Sequence, residues 1–238
     1  MDAIRLSNVT LYHPHHTHSP ILNDVTGEFQ AGSLTAVYGP NGAGKTMLMK
    51  TLAGLIKPDQ GCVDYAPSLH RDVSFVPQIS HIDRGFAITV ADFVALGAGY
   101  RVGLFSRFRE EELRLIEHSL ERVGLHSRSN CLISELSGGQ MQRLLIARLI
   151  LRDPKVVLLD EPFSAIDNDA LPLLMQVILD FIADGKTVIA VSHDQNQIRT
   201  YFPQTLLLSG CVVYWGDTAT ALNPENLSKA RELALKGF

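Results

Sequence analysis

Residues 39–46 read Gly39-Pro40-Asn41-Gly42-Ala43-Gly44-Lys45-Thr46 and match G-x-x-x-x-G-K-[ST], the pattern of a phosphate-binding loop. An apolar run over residues 34–38 precedes the loop and is typical of a buried strand, and a helix is predicted over residues 47–56. The glycines let successive N–H groups point at one anion, and the helix start adds roughly half a positive charge. Lys45 adds a full charge for the β- and γ-phosphates, and the Thr46 hydroxyl is a Mg²⁺ ligand. The stretch therefore predicts an α/β protein that binds a nucleotide.

The composition limits the class of protein. The chain has 238 residues, 46% hydrophobic and 19% charged, which suits one large α/β domain or two small ones. A net charge of −4 without a basic run argues against a nucleic-acid partner. No run reaches the roughly 18 apolar residues of a membrane helix, and we expect no signal peptide in residues 1–5. The three cysteines, Cys62, Cys131 and Cys211, form no C-x-x-C pair, so buried free thiols in a reducing cytosol are expected.

The segment before the phosphate loop is predicted to form strands. Residues 4–11 and 21–29 have strand-like patterns, and we expect them to form a side sheet packed on the main sheet. Pro14 and Pro20 exclude a helix between them, which leaves a loop or a hairpin end. Four imidazoles lie in this connection: His13, His15, His16 and His18. They are candidate Zn²⁺ ligands, and a solvated histidine-rich loop without metal is the alternative.

A helical region is predicted over residues 88–136, and a second anion-binding feature follows it. Residues 110–123 place apolar side chains at helical spacing, which predicts an amphipathic helix. The next segment reads Leu136-Ser137-Gly138-Gly139-Gln140 and opens a long helix over residues 141–151. Ser137 is predicted to cap that helix, and the two glycines leave backbone N–H groups bare. One chain therefore carries two candidate anion sites.

Polar side chains that follow apolar strands are the candidates for catalysis. Residues 156–159 predict a strand covered on both faces, and Asp160 and Glu161 come directly after it. Asp160 fits a Mg²⁺ ligand, and Glu161 fits the base that polarises an attacking water. His193 and Gln78 each follow a further apolar strand. Open α/β sheets place their ligand groups at strand ends, so a role for His193 at the γ-phosphate is favoured over a structural one.

Taken in order, these motifs resemble those of the ATP-binding-cassette ATPases. The resemblance covers nearly the whole chain: the phosphate loop, residues 76–78, 136–140, 156–162 and 164–167, and His193. It implies a P-loop NTPase core sheet of the α/β class with an N-terminal antiparallel β side sheet and an inserted α-helical subdomain. It also implies a single domain over residues 1–238. Residues 1–87 and 156–238 would form its catalytic core, and residues from about 88 to 155 its helical part.

The resemblance also implies how ATP and Mg²⁺ are bound. Two chains associate head to tail around two ATP molecules, and each site combines the phosphate loop of one chain with residues 137–140 of the other. The implied ATP-binding residues are Tyr12, Gly39, Pro40, Asn41, Gly42, Ala43, Gly44, Lys45, Thr46, Met47, Ser137, Gly138, Gly139, Gln140 and Asp167. The implied catalytic residues are Lys45, Gln78, Glu161 and His193, and the implied Mg²⁺ ligands are Thr46, Gln78 and Asp160. Met47 departs from the family, which often has a hydroxyl there, so we expect binding to survive with one α-phosphate contact missing.

The partners that the resemblance implies are a second copy of this chain, an integral membrane permease and an extracytoplasmic substrate-binding protein, with no nucleic acid. The chain is then expected at the cytoplasmic face of the inner membrane. Residues 86–97 and 103–105 are most similar to the ATPases of bacterial zinc and manganese importers, so import of a divalent metal ion is favoured. Another substrate, an exporter and a non-transport ATPase of the same family stay open. A P-loop kinase or GTPase is disfavoured because no guanine-reading Asn-Lys-x-Asp string occurs.

Overall fold

A computed structural model describes residues 2–13, 16–67, 69, 72–79, 84–98, 109–164, 166 and 169–236. The chain divides into two compact units. The first unit comprises Met1–Val76, Lys155–Pro162 and Phe181–Phe238, and the second comprises Pro77–Pro154 and Phe163–Asp180. Both β-sheets belong to the first unit. The assignment of the whole chain to one functional domain stays a prediction.

The secondary structure alternates between strands and helices over most of the chain. The strands are β1 (Asp2–His13), β2 (His16–Gln30), β3 (Leu34–Tyr38), β4 (Gln60–Tyr65), β5 (Val73–Val76), β6 (Val156–Asp160), β7 (Thr187–Val191), β8 (Gln204–Ser209) and β9 (Cys211–Asp217). The helices are α1 (Lys45–Leu52), α2 (Val90–Ala95), α3 (Glu110–Arg122), α4 (Gly138–Arg152), α5 (Leu171–Ala183), α6 (Gln195–Tyr201), α7 (Thr218–Ala221) and α8 (Pro224–Lys236). Among the helices of the described residues, none combines the length and apolarity needed to span a bilayer.

The larger sheet is mostly parallel. Its strand order is β5-β6-β7-β3-β8-β9, and β9 runs antiparallel to β8 while the other neighbouring strands run parallel. Every residue of β6 and β7 is buried, as is all of β3 except Tyr38. A strand covered on both faces has to be apolar along most of its length, which explains these runs in the sequence. Because parallel strands end at one edge, the residues that follow β3, β6 and β7 emerge side by side.

The smaller sheet is antiparallel and shares a hydrophobic core with the larger one. β1 lies between β2 and β4. Side chains such as Leu6 and Phe29 belong to the same buried cluster as residues of α1, β3, β6, β7 and β8. The centroids of the Trp215 and Phe29 rings are 4.6 Å apart. Phe29 is fully buried, and full burial of a phenylalanine side chain contributes about 2 kcal/mol. The predicted fold class is confirmed.

The prediction that the three cysteines are buried is wrong. Cys62 is exposed, and Cys131 and Cys211 are partly exposed, although all three are free thiols as predicted.

The hairpin formed by β1 and β2 is longer than its apolar pattern indicates. β1 continues to His13 and β2 begins at His16, and these two residues are partners in the register. The prediction that this connection is a hairpin end instead of a helix is confirmed. Pro14 and His15 lie outside the described residues.

The helix after the phosphate loop differs from its prediction over residues 47–56. α1 begins at Lys45 and ends at Leu52. Gly54 has a φ of 70°, and its N–H donates to Thr51 O at 3.0 Å, while the next N–H donates to Lys50 O at 2.9 Å. These two bonds form a Schellman motif, which ends a helix where glycine adopts the left-handed conformation without a Cβ clash. The predicted end at residue 56 is therefore wrong. The prediction extended too far because the apolar period of the sequence continues past this turn.

Helices of the second unit pack around α4. α2 and α3 both contact it. The guanidinium of Arg148 on α4 lies over the ring of Phe93 on α2, 5.4 Å from its centroid. Arg122 of α3 forms an ion pair with Asp180 of α5. The long helix predicted after Gln140 is therefore the central element of this unit.

Candidate functional site

The phosphate loop connects β3 to α1, as its motif predicts. Gly44 precedes the first turn of α1 with a φ of 86°, a conformation that a residue with a Cβ rarely adopts. A Cβ there would also lie 2.7 Å from Leu22 Cδ2 and 2.8 Å from Ile21 O. Glycine is therefore required at this position. The first N–H groups of α1 have no acceptor within the helix, which is the arrangement that binds phosphate.

The side chain of Lys45 is folded back over this loop. Its Nζ donates to the carbonyl oxygens of Gly39 and Pro40, both at 2.9 Å, and the residue is buried. Burial lowers the pKa of Lys45, and the nearby carboxylates of Glu161 and Asp160 oppose that effect. Because the two carbonyl oxygens that hold the ammonium group are neutral, they do not cancel its positive charge, and the group can attract a phosphate.

Asp160, the last residue of β6, has a buried carboxylate. The residue is 1% exposed, and neither carboxylate oxygen has a hydrogen-bond partner among the described residues. Burial raises the pKa of the Asp160 carboxyl, and the negative charge of Glu161 adds to this effect. The Thr46 hydroxyl, which is near the carboxylate without meeting hydrogen-bond geometry, and the positive charges of Lys50 and Lys45 oppose the increase without cancelling it. A buried carboxylate is costly to leave unpartnered unless a cation binds it. With the Thr46 hydroxyl, it offers the oxygen ligands that Mg²⁺ prefers, so these residues fit that ion.

Glu161 and His193 form a pair at the same edge of the sheet. β6 and β7 are neighbours with Asp160 opposite Val191, so the residues that follow them emerge together. His193 Nε2 donates to Glu161 Oε1 at 2.6 Å. Glu161 has a φ of 53°, a conformation that costs on the order of 1 kcal/mol and is concentrated at functional sites. The His193 side chain is 42% exposed and that of Glu161 19%, so water or a phosphate oxygen can reach the pair.

The phosphate loop and the Glu161–His193 pair line one cleft of about 390 Å³ in the first unit, whereas the buried Asp160 is not part of its wall. Its walls are formed by Ile21, Asn41, Gly42, Ala43, Gly44, Lys45, Thr46, Met47, Glu161 and His193. The phosphate loop therefore faces the same space as the Glu161–His193 pair. Gly39 and Pro40 adjoin the cleft through their hydrogen bonds to Lys45.

Residues 22–164 of the chain match the model of the ABC transporter family. The chain belongs to this family. A manganese transport system ATP-binding protein, MntB of Listeria innocua, is 37% identical over 213 residues, which cover 88% of this chain and 89% of that protein. This degree of similarity makes the chain an ATP-binding subunit of an ABC transporter.

Solved structures of ABC proteins share the fold. A structure described as a metal-chelate type ABC transporter in an inward-facing conformation matches with a TM-score of 0.83 at 28% identity, over 98% of this chain and 90% of that one. A dimeric ATP-binding cassette in a post-hydrolysis state, bound to ADP and Pi, matches with a TM-score of 0.78 at 26% identity, over 90% of this chain and 98% of that one. A nucleotide is thus bound by a relative of the same fold.

The segment over residues 136–140, the second candidate anion site of the sequence, leads into α4 in the second unit. Ser137 Oγ accepts from Gln140 N–H at 3.2 Å, and Gln140 Oε1 accepts from Ser137 N–H at 2.9 Å. This capping box confirms the prediction that Ser137 caps the helix. The N–H groups of Gly138 and Gly139 lie in the first turn, where the helix offers no acceptor. The role of this segment in ATP binding stays a prediction.

Three other predicted nucleotide or Mg²⁺ residues are not part of the cleft wall. Tyr12 lies near the end of β1, and its backbone N–H donates to Asp59 Oδ2 at 2.8 Å. Gln78 belongs to the second unit. Asp167 lies outside the described residues. Their predicted contacts with adenine, Mg²⁺ and a second chain stay predictions.

The histidine cluster is only partly described. The backbones of His13 and His16 pair across the hairpin. His15 and the side chains of His16 and His18 are not described. No group of three histidine, cysteine, aspartate or glutamate side chains within the described ranges is placed to hold a metal ion. Zinc binding by this cluster stays a prediction.

Two features at this sheet edge have no motif in the sequence. Ile21 contributes to the cleft wall, although its strand belongs to the side sheet. Gln195 Nε2 donates to Tyr38 Oη at 2.7 Å, between residues 157 positions apart. The sequence offers one signal for the second feature, which is that Tyr38 directly precedes the phosphate loop. No sequence pattern singles out Ile21 or Gln195.

Proposed function

We propose that this chain hydrolyses ATP to power the import of a divalent metal ion, with Mn²⁺ as the cargo. The observation that carries the ATPase activity is the single cleft shared by the phosphate loop and the Glu161–His193 pair. The name of the manganese transport protein from Listeria supports the cargo. Zn²⁺ is the other ion that the sequence resemblance includes.

ATP is held by its phosphates. The N–H groups of the phosphate loop and the Lys45 ammonium bind the β- and γ-phosphates, because the N–H dipoles present their positive ends and the ammonium adds a full positive charge. Asp160, Thr46 and Gln78 would hold Mg²⁺, which neutralises phosphate charge. Met47 lies where the sequence resemblance implies a hydroxyl, so the α-phosphate depends more on backbone N–H groups. Tyr12 stacks on the adenine.

Glu161 acts as the general base. A water beside its carboxylate gives a proton to Glu161 as the water oxygen bonds to the γ-phosphorus, and the bond from that phosphorus to the bridging oxygen breaks to release ADP. In this structure the Nε2–H of His193 donates a hydrogen bond to Glu161. When ATP is bound, the same N–H donates its hydrogen bond to a γ-phosphate oxygen instead. The exchange of partners frees the Glu161 oxygen to receive the proton.

The complete site requires two copies of the chain. Residues 137–140 of one copy bind the γ-phosphate held by the loop of the other, and Asp167 reaches across the same interface. The dimeric relative bound to ADP and Pi supports this arrangement. Closure of the dimer brings the second anion site to the nucleotide, which couples hydrolysis to a conformational change.

Transport requires partners beyond the dimer. An integral membrane permease would carry the metal ion, and this chain would bind the permease at the cytoplasmic face of the inner membrane. An extracytoplasmic binding protein would deliver the ion. Import is favoured over export because residues 86–97 and 103–105 resemble importer ATPases, whereas the name of the Listeria relative supports the metal and gives no direction.

Substitution Glu161→Gln tests this function with two measurements. The amide keeps the shape of the side chain but accepts no proton, so ATP hydrolysis by the purified chain should fall about a hundredfold or more. Binding of a fluorescent ATP analogue should persist. Uptake of radioactive Mn²⁺ by cells that carry the variant in place of the parent chain should fall to background.

The matched control is Glu117→Gln on the exposed face of α3, which should leave hydrolysis and uptake unchanged. Hydrolysis by Glu161→Gln at the parental rate would contradict the assignment of the base. Uptake of Zn²⁺ in place of Mn²⁺ would change the cargo and leave the ATPase assignment standing.

A further inference from the structure

The turn that carries His193 is fastened on both sides. On its strand side, Ser192 N–H donates to Val37 O of the neighbouring strand β3 at 3.4 Å. On its helix side, Asp194 accepts from the N–H groups of Asn196 and Gln197 at 2.7 and 3.2 Å, which caps α6. The imidazole itself is bound at one nitrogen by Glu161 and is 42% exposed. The orientation of the ring therefore depends on how firmly the turn is held.

A side-chain hydrogen bond joins this turn to the start of the phosphate loop. Gln195, the first residue of α6, lies two positions after His193, and its Nε2 donates to Tyr38 Oη at 2.7 Å. Tyr38 is the last residue of β3 and directly precedes Gly39. Both side chains are half-buried, where a hydrogen bond is stronger than in bulk water. The bond therefore links the turn that carries His193 to the start of the phosphate loop, and both of these segments contribute to the wall of the cleft.

We propose that Tyr38 and Gln195 are positioning residues for His193 in ATP hydrolysis. The inference rests on the proposed function and adds two residues that touch neither the nucleotide nor the reacting water. The Tyr38–Gln195 bond holds the turn so that His193 Nε2 stays within reach of Glu161 and of the γ-phosphate. Without it, the Gln195 amide turns to water, the start of α6 shifts, and the imidazole moves away from Glu161.

Substitution Tyr38→Phe tests the proposal because it removes only the phenol oxygen. In the nucleotide-free chain, the imidazole ¹⁵N signals of His193, assigned by their loss in His193→Gln, should move toward those of a histidine without a carboxylate partner. The kcat for ATP should fall roughly tenfold while KM stays within about twofold, because a small misplacement affects the transition state more than ground-state binding. Tyr201→Phe, which removes a phenol oxygen at the other end of α6, is the matched control and should leave both readouts unchanged.

A second variant separates positioning from general stability. Gln195→Met keeps the side-chain length without the amide and should give the same signal shift and the same loss in kcat. The double variant Tyr38→Phe, Gln195→Met should be no worse than either single variant, because both remove one bond. Equal effects of all three variants on kcat, at unchanged unfolding temperature, support the proposal.

The proposal and the ATPase function fail in different ways. His193 signals that are identical in the parent and Tyr38→Phe overturn the positioning role, whatever the ATPase rates are. A parental kcat in Tyr38→Phe overturns it even if the signals move. A parent chain that hydrolyses no ATP overturns the proposed function, whereas the imidazole signals still report whether the bond holds His193.

Discussion

At the scale of single residues, Asp160 carries a carboxylate in surroundings that disfavour its charge. It is almost fully buried, and its carboxylate oxygens lack hydrogen-bond partners among the described residues. Because burial raises its pKa, the folded chain binds a proton at Asp160 more tightly than the unfolded chain does. The stability that follows is complete below the unfolded pKa and is lost as the pH rises through the folded pKa. At neutral pH, the carboxylate therefore destabilises the nucleotide-free fold.

Substitution Asp160→Asn should raise the melting temperature of the nucleotide-free chain near neutral pH, because the amide has no buried charge. The gain should shrink as the pH falls toward about 4, the ordinary pKa of aspartic acid, where the parent carboxyl is protonated in both states. Circular dichroism melts in Mg²⁺-free buffer across this range measure the difference. The same variant should lose Mg²⁺-dependent ATP hydrolysis.

Asp169→Asn, at an exposed position, serves as the control and should show no such pH dependence. A variant Asp160→Asn that melts below the parent at neutral pH would show that the carboxylate is not an unfavourable charge in the fold. Addition of Mg²⁺ with ATP should stabilise the parent more than the variant.

At the scale of elements, the first residues of α4 cap the helix and also form a proposed anion site. The capping box of Ser137 and Gln140 stabilises the helix, and the same hydroxyl and first-turn N–H groups form the proposed anion site for the partner's ATP. A substitution that merely removes the hydroxyl changes both together. Aspartate caps a helix about as well as serine but repels phosphate, so it separates the two roles.

Substitution Ser137→Asp should therefore leave the unfolding free energy within about 0.5 kcal/mol of the parent, whereas Ser137→Ala should lower it by about 1 kcal/mol. The order of hydrolysis rates should be the opposite: Ser137→Asp should lose about a hundredfold or more, because a carboxylate lies where the γ-phosphate must bind. Urea unfolding and steady-state ATPase assays measure the two effects. Full activity in Ser137→Asp would exclude this helix end from the nucleotide site.

At the level of the whole molecule, the two proposed half-sites of the chain belong to different units. The phosphate loop and the Glu161–His193 pair belong to the first unit, and the start of α4 belongs to the second. If each complete site takes one half from each copy, two variants with different defects can complement each other. A mixed dimer then has one site with both defects and one site with none.

Lys45→Ala and Ser137→Asp should each be inactive alone. An equal mixture should recover about a quarter of the parental rate, since half of the dimers are mixed and each holds one intact site of two. The assay is ATP hydrolysis against the mixing ratio at fixed total chain concentration. A mixture as inactive as its components, with mixed dimers verified by differently tagged chains, would contradict a site shared between copies.

Much of this arrangement is present in short stretches of sequence. The glycine loop, the apolar strands before Asp160 and His193, and the serine at the start of α4 are all recognisable locally. Loop bending, burial of a strand on both faces and helix capping each depend on residues within a few positions of one another. The early end of α1 is also a local feature, because Gly54 is a helix stop signal in the sequence. The prediction followed the apolar period instead and therefore placed the end too late.

Contacts between distant residues depended on the folded chain. Glu161 meets His193 because β6 and β7 are neighbours, and Tyr38 meets Gln195 because β7 is also next to β3. Strand order in a parallel sheet is set by how crossover helices pack, and no local pattern records it. The residue types at the sheet edge therefore followed from sequence, whereas their pairing and the bond that fastens the His193 turn followed from tertiary structure.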